Sequence, residues 1–137
     1  MTGPPLEVVL VVDIANVMGS RPDGWWRDRA AAAVRLLDLL GPVAGTEVTL
    51  SADQGMVRIL EVRAVLEGAA RQAEGPETVT VRRAEKDGDS EIVAEAVCLT
   101  AVNRTPLVVT ADRGLRRQLP ESALVVGPGW LNRLLGR

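Results

Sequence analysis

The sequence predicts an α/β fold: a three-layer α/β/α sandwich in which helices cover both faces of a mainly parallel sheet. Three observations carry this. Residues 6–12, LEVVLVV, run aliphatic without alternating, as a strand buried on both faces does. From residue 79 onward, short aliphatic runs take turns with helical stretches, and the first 40 residues do the same, which is the rhythm of strand–crossover–strand units. With 47% apolar and 25% charged residues among 137, the chain has the balance of an ordinary globular protein. It is long enough to bury a core as one domain over residues 1–137.

The elements follow in order. The first strand, 6–12, stops at Asp13. WWRDRAAAAVRLLDLL, 25–40, reads as a helix with Trp26, Ala30, Ala33, Leu37 and Leu40 at helical spacing, ended by the Gly-Pro at 41–42. EVTLS at 47–51 and a run at about 57–66 flank the turn residues ADQG, a hairpin whose longer strand continues into the sheet. AARQAEGPE is a loop, VTVRRA (79–84) a strand and EKDGD a polar turn. SEIVAEAVCLTAVN (90–103) reads as a helix turning Ile92, Val93, Ala96, Val97 and Thr100 inward. PLVVTA (106–111) is a strand, DRGLRRQL a short helix, ALVVG (123–127) a strand and GWLNRLLG a terminal helix.

Composition narrows the chemistry. Histidine, tyrosine and phenylalanine are all absent, so no imidazole can act as base or metal ligand. Cys98 is the only cysteine, which rules out an internal disulfide and fits a reducing cytoplasm. No apolar run is long enough to span a bilayer, and the N-terminal stretch lacks the basic region of a signal peptide. The expectation is a cytoplasmic protein with no membrane partner; a homodimer is left open. A net charge of −2 argues against a broad electrostatic grip on nucleic acid but not against a local one built from arginines. Chemistry must come from carboxylates, hydroxyls, arginines and a bound metal or cofactor.

In an open parallel sheet, ligands bind beyond the carboxyl ends of the strands. Asp13 ends the first strand, Glu67 ends the long hairpin strand, Asp112 follows PLVVTA, and Asp89 lies between a strand and the next helix. Clustered carboxylates raise one another's pKa. A divalent cation is the usual compensation, and an all-oxygen set suits Mg²⁺ or Mn²⁺. Singly, each residue has a plainer reading: Asp89 and Asp112 as helix N-caps, Asp13 and Asn16 as turn residues, Glu67 as a sheet-edge charge. Their shared edge is what favours a site. Asp53 reads as a turn residue, and Asp23, Asp28 and Asp38 as solvated charges. Arg113 and Arg117 share a helix face and could grip a phosphate, as could Arg21 in the loop after Asn16; a solvated face is the plainer alternative. Trp26 belongs to the apolar stripe, Trp25 points elsewhere and is free to stack on a base or cover the sheet end, and Trp130 in the last helix reads as a core or helix-anchoring residue.

These motifs resemble those of the NYN domains, relatives of the PIN-like nucleases. DIAN at 13–16 is similar to their opening D-x-x-N, GDSEIVAEA at 88–96 to their second acidic motif, and VVTADRGLR at 108–116 to their third. VLEG at 65–68 sits where many relatives carry an acid and a glycine, and small bacterial members share the SRPDGWWRDR run at 20–29. The resemblance covers most of the chain, with the hairpin at 46–59 as an insertion. It implies a PIN-like Rossmannoid with a five-stranded parallel sheet in the order 3-2-1-4-5. It also implies metal-dependent hydrolysis of phosphodiester bonds, usually in RNA. Asp13, Asp89 and Asp112 would hold Mg²⁺ or Mn²⁺, Asn16 would orient a water or a phosphate oxygen, and Glu67 would support or occasionally join the ligands. Ser90 stands where some relatives have another acid.

The leading expectation is therefore a metal-dependent nuclease acting on RNA. The alternative is the same fold as a catalytically weak or inactive RNA- or protein-binding module. A phosphatase or nucleotide hydrolase is a third reading. DIAN lacks the second aspartate of D-x-D, no GxxxxGK[ST] is present, and the loop after the first strand has no glycine fingerprint.

Overall fold

The computed structural model describes residues 4–137. Strand β1 (Leu6–Asp13) leads directly into a short helix, α1 (Ile14–Gly19). A 3-10 turn at Trp25–Arg27 precedes α2 (Arg29–Leu40), followed by β2 (Glu47–Ser51) and β3 (Gly55–Leu66). A second 3-10 turn, Gly68–Gln72, leads to β4 (Val79–Arg83), α3 (Gly88–Ala101), β5 (Thr105–Val109), α4 (Arg113–Gln118), β6 (Leu124–Val126) and α5 (Pro128–Leu135).

β1 lies inside the sheet, parallel to β3 on one side and β5 on the other, and β5 pairs parallel with β6. β3, 12 residues long, takes two partners on its outer edge: antiparallel β2 along its first half and parallel β4 along its second. Through the second half of β3 the order is β4-β3-β1-β5-β6. The sheet as a whole is mixed rather than mainly parallel, because the turn at 52–54 folds β3 back antiparallel on β2.

Side chains of β1 alternate between two cores. Val8, Leu10 and Val12 join Ile14 and Val17 of α1, the apolar face of α2 and Leu131 of α5; Val9 and Val11 join Ile92, Ala96 and Leu99 of α3 and Leu115 of α4. Helices therefore cover both faces, and each fully buried Leu or Val contributes roughly 1.5–3 kcal/mol. β3 keeps its apolar residues on the first core only by changing phase. Val8 pairs with Ile59 but Val9 with Glu61, so Leu60 bulges out unpaired. Val57 and Ile59 before the bulge, and Val62, Ala64 and Leu66 after it, all reach the same core.

Several expectations are corrected. The helix expected from 25 begins at Arg29, because the Asp28 carboxylate accepts from Ala31 N–H at 3.0 Å and caps it there. Asp28 is thus a cap rather than a merely solvated charge. The two tryptophans fall in the preceding turn, where Trp26 is 51% exposed and Trp25 packs on the core, the reverse of the sequence reading. In α3, Val97 faces solvent while Glu95 is buried. The sheet face beneath α3 carries Glu61 and Arg63, and the Glu95 carboxylate accepts from Arg63 and Arg82. Finally, the loop expected after Asp13 is α1. Among the described residues no helix is long and apolar enough to cross a membrane.

Candidate active site

Parallel pairing brings the strand ends to one edge. Asp13 is level with Val65 of β3, Val12 with Val109 of β5, and Leu66 with Arg83 of β4. The residues just beyond those ends therefore share a rim, and four of them are acids: Asp13, Glu67, Asp89 and Asp112.

Asp13 is 5% exposed. One carboxylate oxygen accepts from Asn16 N–H at 3.2 Å, capping α1, and the other accepts from the Thr110 hydroxyl at 3.2 Å. Burial pushes its pKa up to about 6; the two hydrogen bonds oppose this, and the charges of Asp89 and Glu67 add to it. Asp112 caps α4 by accepting from Leu115 N–H at 3.0 Å, while its own N–H donates to the Thr110 hydroxyl at 3.1 Å. Thr110 thus bridges Asp13 and the backbone of Asp112. The sequence reading passed it over, although the T-x-D spacing in VVTADRGLR held the signal.

Asp89 stands in the first turn of α3. The cap of that helix is Asp87, which accepts from Ser90 N–H at 2.7 Å and whose pKa this bond lowers, so the capping role considered for Asp89 belongs two residues earlier. Freed from it, Asp89 has its pKa raised by burial first, then by the charges of Asp112, Glu67 and Asp87. Glu67 is half-buried and accepts from Gly88 N–H at 2.8 Å, tying the end of β3 to the start of α3. Asn16 turns its side-chain oxygen to Ala111 N–H at 2.8 Å, which secures the loop carrying Asp112.

Asp13 and Asp89 thus feel the charges of their acidic neighbours, but the set is not closed. Among the described residues no three His, Cys, Asp or Glu side chains are gathered into a ready-made metal cage. Three of the four carboxylates are bonded to backbone N–H groups, which holds them apart. In chemistry the donors still fit a hard divalent cation: they are oxygens only, and a cation would offset both the burial that raises the pKa of Asp13 and Asp89 and the neighbouring charges that add to it.

Of the expected phosphate ligands, Arg113 and Arg117 are exposed on α4 directly after Asp112. Arg21 lies beyond the far end of α1, in a segment held to α5 by the Ser20–Asn132 hydrogen bond at 3.0 Å. The six residues of α1 separate it from Asp13 by about 9 Å along the helix. Trp130 donates to Thr49 O at 3.1 Å, anchoring α5 to β2.

No family model matches the chain, and neither does any curated protein. Among solved structures it is similar to the crystal structure of a tryptophan-to-leucine variant of Rae1 (YacP) from Bacillus subtilis. The TM-score is 0.64 at 19% identity, over 94% of this chain and 75% of that one. The likeness is one of fold.

Proposed function

We propose that residues 1–137 form one NYN/PIN-like domain that hydrolyses phosphodiester bonds in RNA, in the cytoplasm, using Mg²⁺ or Mn²⁺ held by Asp13, Asp89 and Asp112. The observation that carries this reading is the meeting of acids from separate strand ends at one rim, where their charges add to the burial that raises the pKa of Asp13 and Asp89. Folding alone does not favour such a meeting. The fold likeness to Rae1 is in keeping with it.

Bound at this rim, a divalent cation supplies the charge that polarises a phosphate and acidifies an attacking water. The chain's own residues do the rest. Asp13, Asp89 and Asp112 offer the oxygens, and Glu67 keeps the start of α3, and so Asp89, against the end of β3. Thr110 and Asn16 set the position of Asp112 relative to Asp13. Arg113 and Arg117 hold the phosphate from α4. With no histidine in the chain, the proton of the attacking water leaves through a carboxylate or to solvent.

The test is incubation of purified protein with single-stranded and structured RNA in Mn²⁺ or in EDTA, beside the Asp112→Asn variant. Cleavage is expected in Mn²⁺ only, reduced at least about 100-fold by the substitution. Cleavage that survives Asp112→Asn belongs to a contaminant and removes the proposal. A second reading, a module that binds RNA or a protein without cleaving, draws on the unclosed acid set. It takes over if Mn²⁺ neither raises the melting temperature nor supports cleavage.

A further inference from the structure

A cleft of about 330 Å³ adjoins the acidic rim, lined among others by Met18, Trp25, Arg29, Glu67, Ala70 and Lys86. Glu67 belongs to both places: it forms part of this wall, and its carboxylate holds Gly88 at the start of the helix that carries Asp89. The volume is at the small end for an organic ligand, enough for one base and its sugar rather than a length of chain.

Its walls differ from those of the rim. Trp25 rests over the end of α1, where a Cβ added at Gly19 would stand 4.0 Å from the indole. Trp26 meets it edge-on, with ring centroids 5.8 Å apart. The Arg29 guanidinium lies over the Trp25 ring, 5.4 Å from its centroid, so an aromatic ring and a cation are already paired in the cleft wall. Lys86, the chain's only lysine, is exposed at the mouth. Arg29 is exposed too, and neither forms an ion pair among the described residues.

We propose that this cleft is a base-binding subsite: it takes one unpaired nucleobase of a single-stranded nucleic acid, stacked on Trp25 and Arg29, with Lys86 on the neighbouring phosphate. The ligand class rests on the nuclease reading above. A chain of net charge −2 whose rim is lined with carboxylates repels a phosphate backbone. Affinity must therefore come from stacking, which is indifferent to charge, together with a few local cations. The cleft provides both beside the acids, and a base seated there places its phosphate next to the rim. Glu67 is available to accept from an exocyclic amino group.

Fluorescence polarisation in EDTA separates binding from cleavage. The probes are a labelled seven-nucleotide single-stranded RNA, DNA of the same sequence, and the RNA duplex. The single strands are expected to bind and the duplex is not, because paired bases cannot enter the cleft. Trp25→Ala and Lys86→Glu should each weaken binding on the order of tenfold, and Trp25→Phe should retain most of it. Lys86 is exposed and touches no core, so its variant remains informative if Trp25→Ala fails to fold, which a melting curve reveals. RNA preferred over DNA identifies a ribose contact, and equal affinity identifies a subsite that reads the base alone. Duplex binding as tight as single-strand binding, or unchanged affinity in a folded Trp25→Ala or Lys86→Glu variant, overturns the proposal. Binding in a protein that never cleaves leaves the subsite standing and overturns only hydrolysis.

Discussion

A carboxylate that is 5% exposed, and whose pKa rises from 3.8 to about 6, resists ionisation in the folded chain far more than in the unfolded one. The linkage has a definite direction. Well below pH 3.8 Asp13 is neutral in both states and does not oppose folding. As pH rises from 3.8 through about 6 the unfolded chain ionises it first, and stability of about 3 kcal/mol is lost across that window. Asp13→Asn keeps an oxygen for Asn16 N–H and removes the charge. In metal-free buffer at pH 7.5 it should raise the melting temperature by several degrees, and it should flatten the pH dependence between 4 and 6. A melt series over pH, with and without Mn²⁺, checks this; a lower melting temperature at pH 7.5 would show that the charge is not strained. Asp13, Asp89 and Asp112 were legible in the sequence because each follows a recognisable strand or opens a helix. Thr110 was not, since a hydroxyl after a strand has many ordinary partners. The tryptophans were misassigned because a periodic pattern running from 26 to 40 conceals the cap at Asp28, which resets where the helix begins.

At the scale of elements, α3 carries two devices that its apolar pattern hides. Its start is held by Glu67, and a Cβ added at Gly88 would stand 3.0 Å from the Glu67 carboxylate carbon. Gly88→Ala should therefore push Glu67 off the helix and cost about 1 kcal/mol, the lost charge-assisted hydrogen bond outweighing the better helix propensity of alanine. A urea midpoint measures this, and an unchanged midpoint would mean that Glu67 does not hold α3. Further along, the Glu95 carboxylate is buried between Arg63, at 3.4 Å, and Arg82. Arg63 is shared with Glu61 at 2.8 Å, and Glu61 also accepts from Arg104 at 3.0 Å. Glu95→Ala leaves Arg63 half-buried with one partner fewer. It should destabilise the chain by about 2–3 kcal/mol in the same urea assay, less than for a fully buried pair because Arg82 is exposed. The sequence reading turned Val97 inward because hydropathy alone chooses the apolar side of a helix. The charges on the sheet beneath it decide otherwise.

For the whole molecule, strand–helix alternation was enough to foresee an α/β chain with helices on both faces, because β1 and β5 have the unbroken aliphatic runs of interior strands. What alternation cannot supply is the seat of a hairpin. β2 is short and half-exposed, and nothing in its five residues states that it must share the outer edge of β3 with β4. The phase of β3 was written in the chain all along, since Val57 and Ile59 fall on odd positions and Val62, Ala64 and Leu66 on even ones. The bulged Leu60 between them acts as a shim one residue thick. Were Leu60 drawn into regular pairing instead of bulging, everything downstream would present Glu61, Arg63 and Val65 to the core beneath α2, and Glu67 would arrive at the rim facing the wrong layer. The alignment of the acids is thus indexed by a bulge at an exposed leucine more than half the length of β3 away, and at that position the path of the backbone matters more than the identity of the side chain.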